Sequence, residues 1–325
     1  MFDIISIGSA TRDVFLQSEG FKRIKDPDFS TGEGECFALG SKIEIKKLAV
    51  TTGGGGTNAA VTFGRQGFKT ACVGVVGKDS TGQEVLEELR RENVEPIFQE
   101  HDDDRTAYSV ILVNPNAERT ILSYKGEGQH FDVNKIPFDK LETKWFFLDS
   151  LGGHYDLLEA VVKHAKDKGI KIAMNPGGKE LAHGLEKLKP IISQIDIYIT
   201  NQEEAATLVG VNYENEDEAF QKLYSNLKQD AIFVMSKGPG GVRVRQGDKE
   251  YSAGVPDSPV VERTGAGDAF GSGFTSEHMR TGDIKKAIQF ATANASSVVT
   301  QFGAKAGILK SGDWGPWPLV DINEK

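Results

Sequence analysis

The chain opens on an apolar run, Phe2 to Ile7, that stops at Gly8. A continuous apolar run closed by glycine predicts a strand buried on both faces, as in a parallel sheet. Thr70 to Val76 has the same character. From about Thr143, apolar runs and helical periods take turns. Strands are predicted at Trp145–Leu148, Ile170–Met174, Ile197–Thr200 and Ile232–Ser236. Helices are predicted at Tyr155–Lys168, Gln202–Val209, Asp217–Leu227, Gly267–Arg280 and Asp283–Gln301. This alternation predicts an α/β fold, a doubly wound and mostly parallel sheet flanked by helices.

Other stretches break that rhythm. Lys42–Val50 alternates in the manner of a half-exposed strand. So do Arg105–Val113 and Arg119–Tyr124, which flank the turn Asn114-Pro115-Asn116 and predict a hairpin. With Arg12–Leu16 and Phe37–Leu48 they suggest a small antiparallel β lid, built from about 12–48 and 105–124 within one domain spanning 1–325. A structural flap or dimer contact is the alternative use of such an excursion. Ser18–Ser41 is polar and reads as a long loop or an accessory element. Thr57–Gln66 reads as helical. A second helix opens at Ser80 with the capping pattern Ser80-x-x-Gln83 and an apolar stripe of Val85, Leu86 and Leu89. No internal repeat is evident.

Charge narrows the partners. Lys plus Arg number 38 and Asp plus Glu 47, a net charge of -9 over 325 residues. Without a basic run, nucleic acid is not expected as a partner. No apolar run approaches the ~18 residues of a membrane span, so no membrane partner is expected. The opening segment lacks a basic region followed by a long apolar stretch and reads as a strand rather than a signal peptide. Two cysteines, Cys36 and Cys72, make no disulfide framework or C-x-x-C pair. A reducing cytoplasm is the expected location. The six histidines show no metal-ligand spacing and read as surface or packing residues, and Trp314 and Trp317 as packing residues.

Several Gly-rich turns carry the candidate chemistry. In Glu262–Phe274, Gly265 and Gly267 free the backbone beside a helix start, where unpaired N–H groups attract an anion. Asp268 sits at that start. An anion pocket beside a carboxylate suits phosphoryl transfer to an alcohol: the amides stabilise the transferring group and the carboxylate takes the hydroxyl proton. Read alone, Asp268 could equally be a helix-start residue. Thr52–Ala60 is a second Gly-rich turn into a helix, with Asn58 offering both donor and acceptor. It is neither a P-loop nor a dinucleotide fingerprint. Asp13, after the first strand, could take two sugar hydroxyls or be an ordinary loop residue. Asn201–Glu204 follows another strand, where its acids could hold hydrated Mg2+ or simply favour a helix start. Ser236–Gly241 is a possible nucleotide cradle.

Taken together, these segments resemble the PfkB, or ribokinase-like, carbohydrate kinases. Gly53–Gly77 resembles their N-terminal signature, and Arg263–Phe270 (RTGAGDAF) resembles the C-terminal one, usually D-T-x-G-A-G-D. Asn201-x-x-Glu204 and Ser236–Gly241 match intermediate motifs in order. The resemblance implies a ribokinase-like fold whose lid often forms a homodimer contact, and transfer from Mg-ATP to a small sugar-like molecule. It implies Asp268 as base, with Gly265, Ala266 and Gly267 as anion hole. It gives Asp13, Gly54, Gly55 and Asn58 as acceptor contacts. Asn201, Ser236, Gly238, Gly241 and Thr292 become nucleotide contacts, and Glu204 the Mg2+ residue. Glu262, Thr264, Val298, Gln301 and Gly303 would surround a monovalent cation such as K+. Glu262 stands where Asp is usual, and Gly55 where ribokinases often have Lys. Asp149 lies near a sugar-contacting position, and Arg119 could reach a substrate charge or make a salt bridge.

A carbohydrate kinase is therefore the expected activity. A nucleoside kinase of the same family is the alternative, with Phe15, Phe37 and Tyr108 as candidates to stack a base. A non-catalytic sugar- or nucleotide-binding protein is a minor third reading, against which the intact Gly265–Asp268 set argues.

Overall fold

The computed structural model describes residues 1–29, 32–114 and 119–325. In chain order the strands are β1 (Phe2–Ile7), β2 (Thr11–Gln17), β3 (Lys22–Lys25), β4 (Glu33–Cys36), β5 (Lys47–Gly53), β6 (Thr70–Gly77), β7 (Val94–His101), β8 (Tyr108–Val113), β9 (Arg119–Tyr124), β10 (Thr143–Leu148), β11 (Lys171–Met174), β12 (Ile197–Asn201), β13 (Ile232–Ser236), β14 (Val242–Gln246), β15 (Lys249–Ala253) and β16 (Ile322–Glu324). The helices are α1 (Gly55–Arg65), α2 (Ser80–Arg91), α3 (Tyr155–Lys168), α4 (Gly178–Leu181), α5 (Leu185–Ile192), α6 (Gln202–Val209), α7 (Glu216–Tyr224), α8 (Ala266–Thr281) and α9 (Ile284–Val299).

The main sheet has ten strands in the order β16-β15-β14-β13-β12-β11-β10-β1-β6-β7. From β13 to β7 every ladder is parallel, and β14, β15 and β16 add an antiparallel edge. Helices cover both faces. On one, Leu157, Leu188, Ala205 and Phe220 of α3, α5, α6 and α7 pack on Phe146, Tyr198 and Phe233. On the other, Phe63, Phe274 and Ile288 of α1, α8 and α9 pack on Ile4, Phe147 and Val234. Chain order reverses at β1, between β6 and β10, and ligand crevices form outside strand ends at such a point. Among the described residues no helix is long and apolar enough to cross a membrane.

The lid is a four-stranded sheet, β5-β2-β8-β9. Its outer ladders are antiparallel, as expected, but the central β2–β8 ladder is parallel. Both strands leave the same edge of the main sheet, β2 after β1 and β8 after β7, so they run the same way. The proposed Phe37–Leu48 and Lys42–Val50 strand is displaced: β5 starts at Lys47 and runs on through Gly53, which pairs with Thr11. Ser18–Ser41 holds an accessory element, the β3–β4 hairpin. The turn residues Pro115 and Asn116 lie outside the described residues. The cap of α2 is Asp79 rather than Ser80, accepting the Gly82 N–H; Asp is as good an N-cap as Ser. Helix α1 begins at Gly55, two residues before its predicted start.

Candidate active site

Four loops converge at the reversal point. Gly8 and Ser9 end β1, and Asp149 follows β10, its N–H on the Ile7 carbonyl at 3.0 Å. The β5–α1 turn packs directly on them. Gly54 has φ 95, and a Cβ there would strike Ser9 and Ala10. A Cβ on Gly55 would fall on the Asp149 carboxylate, and one on Gly53 on the Asp13 carboxylate. The glycines thus let two acidic side chains lie against the main chain.

Asp268 enters from the first turn of α8. Asn58 Nδ2 donates to its Oδ2 at 2.7 Å, while Asn58 Oδ1 is buried without a partner. Asp13 accepts from Thr11 Oγ1 at 2.8 Å. Burial raises the pKa of Asp268, and the Asp13 charge raises it further; the Asn58 amide pulls it back. Burial likewise raises Asp13, against its bond from Thr11. Asp149 is held well above the usual carboxylate range, by burial and then by the Asp268 charge. Its Oδ1 accepts the Ser150 N–H at 2.6 Å and its Oδ2 has no partner. Three carboxylates and an amide with free acceptor capacity form a cluster whose chemistry suits a ligand rich in hydroxyl donors.

On the far side of the α8 start lies a cavity of ≈ 530 Å³. Ser236, Gly238, Gly241, Ala266, Gly267 and Thr292 are among its walls, and this volume suits a small-molecule site. Gly265 caps α8 with φ 80, and a Cβ there would collide with Ala304. Ala266 and Gly267, the first two residues of α8, line that cavity, and Gly267 is exposed with room for a Cβ. The positive helix end therefore stands between cavity and carboxylate pocket.

Other expected residues are placed less directly. Asn201 is exposed and does not line the cavity. Its Oδ1 accepts the Glu204 N–H and Glu204 Oε2 accepts the Asn201 N–H, both at 2.8 Å, a capping box for α6. Burial raises the Glu204 pKa against its bond from the Asn201 N–H, with the Glu203 and Asp268 charges adding to the rise. Glu262 is 0% exposed. Its Oε1 accepts the Thr264 N–H and faces Arg119 Nε at 3.9 Å. Its Oε2 and Thr264 Oγ1 are buried without partners. Those two oxygens are free to ligate a cation, and the Glu262 N–H donates to the Val299 carbonyl at the end of α9.

Two residues escaped the sequence reading. Lys305 is buried beside the carboxylates, donating to Thr52 Oγ1 and to Glu88 Oε2. Glu180 is buried and accepts N–H groups of Leu151, Gly153 and Gly177, fixing the loop after Asp149. A lone Lys after a Gly-Ala pair and a Glu in a short helix carry no local signal.

With this geometry in place, the comparisons decide the family. A sequence profile described as pfkB family carbohydrate kinase matches residues 1–311. The chain belongs to that family. This PfkB kinase is 29% identical over 318 residues to a ribokinase of Bacillus subtilis (strain 168), covering 95% of this chain and 96% of the relative. It is 23% identical over 337 residues to a nucleoside kinase of Methanothermobacter thermautotrophicus, covering 98% of each. A structure of Arabidopsis thaliana ribokinase complexed with ribose and ATP has the same fold, with TM-score 0.73, 20% identity, and coverage of 95% of this chain and 96% of that one. As a PfkB kinase the protein is a phosphotransferase acting on an alcohol group.

Proposed function

We propose that this PfkB kinase transfers the terminal phosphoryl group of Mg-ATP to a hydroxyl of a sugar or sugar derivative, with Asp268 as the base. One observation carries the reading. Asp268 follows the cavity-lining Ala266 and Gly267 at the start of α8 and is oriented from the carboxylate side by Asn58 at 2.7 Å. The hydroxyl proton passes to Asp268 as the oxygen attacks the γ-phosphorus and the bond from that phosphorus to the bridging oxygen breaks, releasing ADP. Gly265, Ala266 and Gly267 direct N–H groups at the charge on the transferring group. Asp13, Gly54, Gly55 and Asn58 hold the acceptor, with Asp149 beside them. Ser236, Gly238, Gly241 and Thr292 wall the nucleotide cavity, and Asn201 orders the turn that carries Glu204.

Bound Mg2+ supplies charge neutralisation on the phosphate oxygens, and Glu204 would hold it through water. Glu262, Thr264, Val298, Gln301 and Gly303 would hold a monovalent cation such as K+ behind the anion hole.

The lid favours a sugar over a nucleoside. Ser109 pairs with Asp13, so Tyr108 points to the opposite face of the sheet from Asp13. Phe15 is buried against Phe302. Phe37 packs edge-on to Phe21, outside the lid sheet. None of the three is open on the Asp13 face. That outer lid face, with Tyr108, Leu48, Val50, Leu122 and Tyr124 exposed, is our candidate homodimer contact. Free Cys36 and Cys72 accord with a reducing cytoplasm.

The test is a coupled ADP-release assay with Mg-ATP and K+ over ribose, fructose, sugar phosphates and adenosine. Turnover confined to sugars supports the proposal; turnover confined to adenosine replaces it with the nucleoside reading.

A further inference from the structure

Lys305 follows α9 and is 4% exposed. Its ammonium donates to Thr52 Oγ1 and, at 3.2 Å, to Glu88 Oε2. A buried ammonium is tolerated only with such partners. The backbone beneath it is clamped. Arg65 Nη1 donates to the Lys305 carbonyl at 2.8 Å and to that of Ile308 at 2.9 Å, while Glu92 holds Arg65 at 2.8 and 2.7 Å. The charged or titratable groups facing the ammonium are Glu88 of α2, Asp13 of β2 and Cys72 of β6. Its positive charge also acts on Asp268 of α8. It works against burial in lowering the Asp13 pKa, together with Lys125.

Thr52 is not a neutral anchor. It precedes Gly53, whose Cα lies against the Asp13 carboxylate, and it pairs with Arg12 across the β2–β5 ladder. A cation tied to Thr52 therefore controls both the edge of the acceptor pocket and the charge balance within it.

We propose that Lys305 is a positioning residue for the phosphoryl acceptor, holding the Thr52–Gly54 edge and the Asp13 carboxylate in binding geometry by its bond to Thr52 and its fixed charge. The inference rests on the Asp13 pocket being the acceptor site. Glu88, in turn, is the counter-charge to the buried ammonium, and its Oε2 also accepts the Thr52 hydroxyl.

The experiment compares Lys305→Met, Glu88→Gln and the double variant, which removes both charges at once and guards against misfolding of the single lysine variant. Lys305→Met and the double variant are expected to raise the acceptor KM about tenfold, or ~1.4 kcal/mol, with ADP affinity by calorimetry unchanged. Glu88→Gln leaves the ammonium and keeps an acceptor oxygen for the Thr52 hydroxyl, and is expected to keep or lower the acceptor KM. Equal losses in Lys305→Met and Glu88→Gln would mean a purely structural network and overturn the proposal, as would an unchanged KM in the double variant. A second readout needs no acceptor. The Asp13 carboxyl, followed by carbon NMR and assigned with Asp13→Asn, is expected to titrate higher in Lys305→Met and no higher in Glu88→Gln. An unmoved Asp13 titration in Lys305→Met also overturns the proposal. Wild-type turnover retained in Asp268→Asn, or absent on the whole panel, tells against the kinase mechanism instead, and the NMR titration then still decides the role of Lys305.

Discussion

At the residue scale, Asp268 and its neighbours set the sharpest tests. Asp268→Asn is expected to fold and bind ADP with wild-type affinity while kcat falls by at least ~10²-fold, the worth of a general base. Near-full kcat in that variant would refute the base. Asn58→Leu removes the hydrogen bond that opposes the upward shift of Asp268. A base works when ionised, so activity declines as pH falls through its pKa. Raising that pKa moves the acid limb of kcat/KM to higher pH, and a limb that stays in place would sever the link. Asp149 has a folded pKa well above 3.8 and an unpartnered oxygen. Its charged form therefore costs stability, a cost that is full above the raised pKa, falls as pH drops below it and is gone below the unfolded value. Asp149→Asn is expected to raise Tm by about 2 °C at pH 7, with no gain at acid pH, and to weaken acceptor binding. Asp13, Asn58 and Asp268 were legible in the sequence because each sits in or beside a Gly-rich turn or a strand end. Lys305 was not, because its partners Thr52 and Glu88 are remote in sequence and its burial is a tertiary fact.

At the element scale, the turns do the positioning. Gly241 has φ 88, and a Cβ there would strike the Ala253 carbonyl. Gly241→Ala is expected to push the β13–β14 turn into the cavity it lines and destabilise the fold by at least ~1 kcal/mol. Calorimetry should read weaker ADP binding with acceptor binding retained; equal ADP affinity would mean the turn is not a nucleotide wall. The buried strands β1, β6, β10, β12 and β13 were plain from their apolar runs, and α3, α8 and α9 from their periods. Strand β5 starts later than expected because Lys42–Ile45 alternates as a strand does but contacts the Ser18–Gly20 loop, through Ser18 Oγ on the Glu44 carbonyl, and joins no ladder. Its ladder begins only where Lys46 N–H reaches the Gln17 carbonyl at 2.9 Å. The α2 cap was off by one because both Asp79 and Ser80 are good caps. Asp79 wins because its carboxylate also accepts the Thr106 N–H and hydroxyl, at 3.0 and 2.8 Å.

At the scale of the whole molecule, the lid sheet has two unlike faces. The inner one carries Asp13, Phe15, Ser109 and Arg119 toward the body; the outer one exposes Leu48, Val50, Tyr108, Leu122 and Tyr124. A contiguous apolar face of this kind marks an association surface. The wild type is expected to sediment as a dimer and Leu122→Glu as a monomer; a monomeric wild type would discard the lid contact. The sequence by itself determined the parallel α/β body, the family, and the residues at the helix start and the Gly-rich turns, because these follow from local periodicity and from backbone freedom that only glycine supplies. Only the tertiary structure decided the parallel β2–β8 ladder, the seating of Asp13 on Gly53 and of Asp149 on Gly55, and the burial of Lys305 against Thr52 and Glu88. Those depend on which distant segments meet, and apolar or polar patterning along the chain says which face is buried but not against what.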